Sequence, residues 1–383
     1  MSIFTVYFSG TGATRFDTNN PNYWNGELIS TLASNEQGRE FADWIALDGP
    51  GSGNLQADEL SVYSSTSSIA GTLFGAGWGA NVQHAVNMIQ GEFEWERTQL
   101  TADDVEKLKA AGIPAEDLSS ASVLLQRHTQ YPERRVSQQR LQQQIAAVFR
   151  KDQLPTQINV VGWSRGAVSC HMLANALLEN PRLASIPVRI LAIDPVPGAL
   201  NFQAQRVTLG DNVQEYVGVY ARDERSLGFN AVVPKTSSAT RCTIFPVPGR
   251  HGTLVGNAAA DGKSGEPRFK EPGTLVRHLA EGCLSQWGVQ LDHTLNLTAA
   301  DVEALLQQIA ADDAHYLAMR KHSYTVLTHS TGNDEREMQW GSRAAKFSEI
   351  AGTPFHPAPG LSANLSTDPL LYDELILRNG GNA

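Results

Sequence analysis

The sequence predicts an α/β fold, a mainly parallel sheet flanked by helices, and three observations carry that expectation. Short runs rich in Val, Ile and other β-formers alternate with amphipathic stretches of helical spacing. From residue 158 onward the apolar runs come in the regular strand–helix–strand alternation of a doubly wound, mainly parallel sheet. They end in loops rich in Gly, Pro and Asp, the rim on which such sheets carry their chemistry.

In chain order, the first element is Ile3 to Phe8, a strand that runs into the tight loop Ser9-Gly10-Thr11-Gly12. Residues 13 to 60, rich in Asn, Gly, Ser and Asp, read as loops with brief ordered pieces. Trp78 to Gln90 is a helix with Val82, Ala85, Val86 and Ile89 on one face. The polar segment 92–135 reads as a helical insertion, with Thr101 as an N-cap and Asp104 in the first turn; it or the helices after 270 are the candidates for a lid or membrane-facing surface. A Gln-rich helix follows over Val136 to Phe149. The alternation then becomes regular: strand Ile158 to Val161, helix Gly166 to Leu178, and strands Val188 to Ile193, Val213 to Tyr220 and Thr243 to Val247. Beyond residue 255 no strand is expected. Thr274 to Cys283 and Thr298 to Met319 read as helices and 350–368 as a Pro-rich loop. The expected organisation is a catalytic domain over 1–270 and a helical C-terminal extension over 271–383 packed on it.

Composition narrows the function. With 383 residues, 41% of them hydrophobic, the chain is long enough for one large core and an appended part. A net charge of -10 argues against gripping nucleic acid by bulk electrostatics. Cys170, Cys242 and Cys283 follow neither a disulfide framework nor a zinc spacing, so they read as free thiols. No cofactor motif occurs and no ligand spacing marks a metal site. The N-terminus lacks the pattern of a Sec leader, which places synthesis in the cytoplasm with any export left to another route. No segment is long and apolar enough to span a bilayer as a helix.

The motif that carries chemistry is Gly162-Trp163-Ser164-Arg165-Gly166, a G-x-S-x-G between a β-branched strand and an amphipathic helix. That is the context of a nucleophile elbow in an α/β-hydrolase, where the serine sits on a sharp turn and only glycine fits on either side. A serine nucleophile needs a base, and the base needs an acid to hold its tautomer. Of the ten histidines, His251 is the one that follows a late strand through a short turn, Pro248-Gly249-Arg250. Two aspartates compete for the acid: Asp194, ending RILAI, and Asp223, ending YVGVYA. The position after the second strand beyond the nucleophile favours Asp223. The other aspartate is expected to cap a loop or to tie the rim through Arg222 or Arg225. The oxyanion hole is expected from the backbone N–H of Arg165 and of the loop Gly10, Thr11 and Gly12.

Together these motifs resemble the α/β-hydrolase domain of type VI secretion lipase effectors. The correspondence runs through YFSGTG at the start, Gly49 to Gly53, FGAGWGANVQHAV at 74–86 and the elbow GWSRGA. It continues through Asp194-Pro195-Val196-Pro197-Gly198, Asp223-Glu224-Arg225-Ser226 and IFPVPGRHGTLVG. Order and spacing hold over residues 1 to about 256, with Ser9, Pro195 and a single Gly256 in place of a glycine pair departing from the family pattern. The resemblance implies hydrolysis of a lipid ester, often a phospholipid, by an effector delivered into a competing cell. It further implies membrane contact, secretion machinery and an immunity protein as partners. A soluble esterase, thioesterase or amidase on the same machinery, and a silent binding module, are the other readings of the same residues.

Overall fold

A computed structural model describes residues 2–50, 78–91, 119–123, 126–130, 153–198, 201–264, 268–325 and 335–350. The expected helix at 136–149, the Thr101 cap and the loop after 350 lie outside the described residues, as do most of the segments corresponding to Gly49–Gly53 and to 74–77.

At its centre is a six-stranded sheet in the order β2-β1-β5-β6-β7-β9, all neighbours parallel. Its strands are β1 (Ile3–Phe8), β2 (Trp44–Leu47), β5 (Gln157–Trp163), β6 (Val188–Ile193), β7 (Val213–Ala221) and β9 (Arg241–Val247). The α/β fold expected from the alternation is therefore present. Strand boundaries fall within two residues of the expected ones, and β6 coincides with its expected span.

Both faces of the sheet are covered, and apolar side chains from its strands enter a core on each side. Along β1, Phe4, Val6 and Phe8 point into one core while Tyr7 belongs to the other. The first face packs helix α2 (Trp78–Gln90) and helix α3 (Arg165–Glu179). The second packs α1 (Leu28–Asn35) and α5 (Glu271–Gln286), with Val302, Ile309, Tyr316 and Met319 from α6 (Ala299–Ala311) and α7 (Asp313–Met319). The short α4 (Ala204–Val207) lies between β6 and β7. Every free thiol among Cys170, Cys242 and Cys283 is buried.

Three differences from the sequence reading have local causes. Among the described residues of 13–60, the brief ordered pieces expected between loops are a buried helix and a strand of the central sheet, neither of which the sequence located. In α1 the apolar residues Leu28, Ile29, Leu32 and Ala33 share one side, but eight residues are too few to announce a period. Secondly, the described part of the 92–135 insertion is not helical. There, β3 (Ser119–Val123) and β4 (Gln126–Gln130) pair antiparallel, and neither carries a helical apolar spacing.

Thirdly, the C-terminal extension is not wholly helical. The reading of one helix over 298–319 becomes two, broken at Asp312, with Thr298 and Asp301 forming a capping box at the first. After them β10 (Glu337–Trp340) pairs antiparallel with β11 (Arg343–Lys346) and parallel with the two-residue strand β8 (Val232–Val233). Four-residue strands leave almost no pattern in a sequence, and their partner lies about a hundred residues upstream. Among the described residues no helix is long and apolar enough to cross a membrane.

Candidate active site

Register brings the site together. Trp163 pairs with Ile193, Ile193 with Val219 and Val219 with Phe245. The residues just past those strand ends, Ser164, Asp194, Asp223 and the loop to His251, therefore share the C-terminal rim of the sheet, as crevice-binding α/β folds require.

Ser164 has φ 59° and ψ -126°, a strained conformation for a residue with a side chain. Its N–H donates to Ile193 O at 3.0 Å, and its carbonyl accepts from Val196 N–H at 3.3 Å. The turn is thereby stitched to the end of β6. Glycine is mandatory on both flanks. A Cβ on Gly166 would lie 2.1 Å from Phe8 O, and one on Gly162 would lie 2.5 Å from the Gly166 backbone. Ser164 occupies the N-cap position of α3, which sets its backbone at the positive end of the helix dipole, and its side chain makes no capping hydrogen bond. Trp78 secures that turn by donating from Nε1 to Arg165 O at 3.1 Å.

His251 is 5% exposed, and its ring stands 5.0 Å from the Trp163 ring, the residue before the serine. Phe229 packs edge-on against the imidazole at 5.1 Å and Tyr324 at 6.2 Å. Among the described residues no hydrogen bond joins Ser164 Oγ to the imidazole.

The two aspartates have separate surroundings. Asp194 Oδ2 accepts from His251 Nδ1 at 2.6 Å. Asp194 Oδ1 accepts from Ala221 N–H at 3.1 Å, and both oxygens meet the guanidinium of Arg336. Burial pushes the Asp194 carboxyl up, but the Arg336 charge and the His251 hydrogen bond outweigh it and hold the group at about 2. An ionised carboxylate facing Nδ1 places the imidazole proton there and leaves Nε2 basic. Asp223, by contrast, faces Arg222 Nε at 3.0 Å, Arg320 Nε at 2.7 Å and Gly249 N–H at 2.9 Å. The structure thus joins His251 to Asp194, not to the favoured Asp223. Asp223 ties β7 to the loop that leads to His251, and its ion pair with Arg222 is of the kind expected for the other aspartate. Glu224 completes that brace: its Oε2 accepts from His251 N–H at 3.2 Å and its Oε1 from Ser226 N–H at 2.7 Å.

The loop after β1 lies against the elbow. A Cβ on Gly10 would meet the Trp163 ring at 2.2 Å, so only glycine admits that approach. Thr11 Oγ1 accepts from Arg165 Nη1 at 3.0 Å. Gly12 has φ +72°, and its N–H donates to Pro50 O at 3.1 Å, which turns that amide away from the role expected of it.

Residues that the sequence reading missed come from the extension. Arg320, Tyr324 and Arg336 reach Asp223, the His251 loop and Asp194 respectively. No signal near them in the sequence marks that role, because the partners lie 72 to 142 positions away. His171, on α3 itself, is buried with Nδ1 against Arg206 O at 2.7 Å, and burial lowers it to about 4.

What fold and site define is an α/β protein with a strained strand–helix serine and a buried His–Asp pair on one rim. No protein-family model and no curated protein matches the sequence. Solved structures that resemble it include an uncharacterized protein from Pseudomonas aeruginosa, with TM-score 0.41 and 13% identity over 82% of this chain and 50% of that one. Another is the Tle1 effector bound to the VgrG spike of the Type 6 secretion system, with TM-score 0.41 and 10% identity over 85% of this chain and 81% of that one. The present chain spans about half the length of the Pseudomonas protein. Likenesses this distant carry no function across.

Proposed function

We propose that the protein is a serine hydrolase of carboxylic esters, with Ser164 as nucleophile, His251 as base and Asp194 as the acid that orients it. The observation that carries this reading is the 2.6 Å bond from His251 Nδ1 to Asp194 beside a serine in elbow conformation. In the reaction Ser164 Oγ attacks the acyl carbonyl while His251 Nε2 takes its proton. The imidazolium then gives that proton to the departing alcohol oxygen, leaving an acyl ester on Ser164. A water molecule, deprotonated by His251, releases the acid and restores the serine. The N–H groups of Arg165 and of the Gly10–Thr11 turn are the donors proposed for the tetrahedral oxyanion.

The lipid character of the ester, and delivery as an antibacterial effector, rest on the motif resemblance from YFSGTG to PGRHG. Fatty-acid release from phosphatidylethanolamine and phosphatidylglycerol vesicles, compared between the wild type and Ser164→Ala, tests both levels. Release by the wild type alone supports a phospholipase. Cleavage of p-nitrophenyl butyrate through Ser164 without release from vesicles leaves an esterase of soluble substrates. Absence of both activities would remove the hydrolase reading and leave the silent binding module.

A further inference from the structure

The aspartate that holds His251 is itself held by a residue far along the chain. Arg336 immediately precedes β10 and is 3% exposed. Its Nη1 donates to Asp194 Oδ1 at 2.5 Å and to Ala221 O at 2.8 Å. Its Nη2 donates to Asp194 Oδ2 at 3.2 Å and to Phe229 O at 2.7 Å. Two carbonyls, one at the end of β7 and one on the loop after it, thus fix the plane of the guanidinium, and the guanidinium spans both carboxylate oxygens. Asp194 has φ 43°, so its backbone sits in the left-handed region that residues with a side chain seldom adopt. The neighbouring pairing of β10 with β8 carries Arg336 to this place: Gln339 N–H donates to Ala231 O at 2.8 Å, and Val232 N–H donates to Pro195 O at 2.8 Å.

We propose that Arg336 is a positioning residue for ester hydrolysis: its fork aims the Asp194 carboxylate at His251 Nδ1 and makes activity depend on the C-terminal segment being docked. This rests on the serine-hydrolase reading above. A residue that only neutralised a buried charge would affect stability, whereas a positioning residue affects turnover in the folded enzyme. The charge also has a sign that kinetics can read. A cation next to the pair opposes a second positive charge on the imidazole, so its removal favours the protonated, inactive ring. The groups facing the imidazole and its loop are Asp194, Glu224, Arg250 and Tyr324, with Arg336 behind Asp194. All but Arg336 are left in place by the test.

The experiment compares Arg336→Lys and Arg336→Gln with the wild type, on an ester turned over through Ser164, after circular dichroism has confirmed folding. Lysine keeps the charge but, as a point donor, cannot span two oxygens and two carbonyls. For Arg336→Lys, kcat is expected to fall on the order of 100-fold with KM nearly unchanged and the acid limb of the pH–rate profile in place. For Arg336→Gln, the same fall should be joined by movement of that limb to higher pH by about one unit or more. A folded lysine variant with wild-type kcat overturns the proposal, and it decides the matter if the glutamine variant fails to fold. A folded glutamine variant whose acid limb stays put also overturns it. Labelling with a fluorophosphonate separates the two levels. A wild type that is not labelled at Ser164 sinks the hydrolase reading and this inference with it. A labelled wild type with indifferent Arg336 variants sinks only the role of Arg336.

Discussion

Asp194 and Asp223 end neighbouring strands, both wholly buried, and differ only in what the rest of the molecule brings to them. Asp194 receives an imidazole and Arg336; Asp223 receives Arg222, Arg320 and a backbone amide. Their substitutions should therefore fail in different ways. Asp194→Asn is expected to lower kcat by about 10,000-fold in a folded protein, because the amide imposes the wrong tautomer on His251. Asp223→Asn leaves two buried guanidiniums short of charge and should lower stability by about 3–5 kcal/mol, with a much smaller loss of kcat in the folded fraction. Urea unfolding and initial rates on the same preparations distinguish them; equal kinetic losses would contradict the assignment. Ser164 and His251 were legible as candidates because each sits in a short local pattern, G-x-S-x-G and PGRHG. The choice between the aspartates was not, since both terminate apolar strands in the same way and strand count favoured Asp223. What separates them is an arginine 142 residues from Asp194, and no local pattern encodes that.

At the scale of elements, the turn between β5 and α3 depends on the close approach of α3 to β1. The prospective 2.1 Å contact with Phe8 O leaves no space for a methyl group at Gly166, and backbone cannot step aside as a flexible side chain would. Gly166→Ala is expected to destabilise the protein by about 1–3 kcal/mol or more and to misplace Ser164. A thermal melt and fluorophosphonate labelling of the variant check this, and wild-type values for both would show that α3 can shift. Strands β5, β6, β7 and β9 and helix α2 were readable because long apolar runs or a sustained helical face mark them. Strand β2 and helix α1 were hidden in a segment whose average composition is polar. Their few apolar residues matter only when stacked on the sheet, where Leu28, Ile29, Leu32 and Ile45 are fully or almost fully buried. The ribbon β3–β4 and the pair β10–β11 are too short to carry a period, so pairing alone defines them.

The whole molecule carries buried acids away from the catalytic rim, and these set how stability responds to pH. Glu36 accepts from Tyr7 Oη at 2.5 Å and Thr5 Oγ1 at 2.9 Å, yet burial outweighs both bonds and raises it to about 8. Burial likewise raises Glu27, which caps α1, to about 7. Both lie above the unfolded value of about 4.3, so between those limits the folded chain binds more protons than the unfolded one. Their contribution is complete below about pH 4 and is lost as pH rises through about 7 to 8. Glu36→Gln keeps an acceptor for Tyr7 and Thr5 without the titration, and should flatten the fall of the urea midpoint between pH 5 and 8.5. An unchanged slope would mean that Glu36 does not cause it.

By itself the sequence determined the α/β class, the strand–helix serine turn, the histidine loop and the set of acids from which one is drawn. These follow from hydrophobic period and from glycines that backbone geometry requires, and both are local properties. Only the tertiary structure decided which aspartate meets His251, that Asp223 and Glu224 brace its loop, and that Arg320, Tyr324 and Arg336 close around the same rim. The reason is physical. Ion pairs and short parallel strands are selected by proximity in space, and proximity between Arg336 and Asp194 exists only once the sheet and the C-terminal segment have folded onto each other.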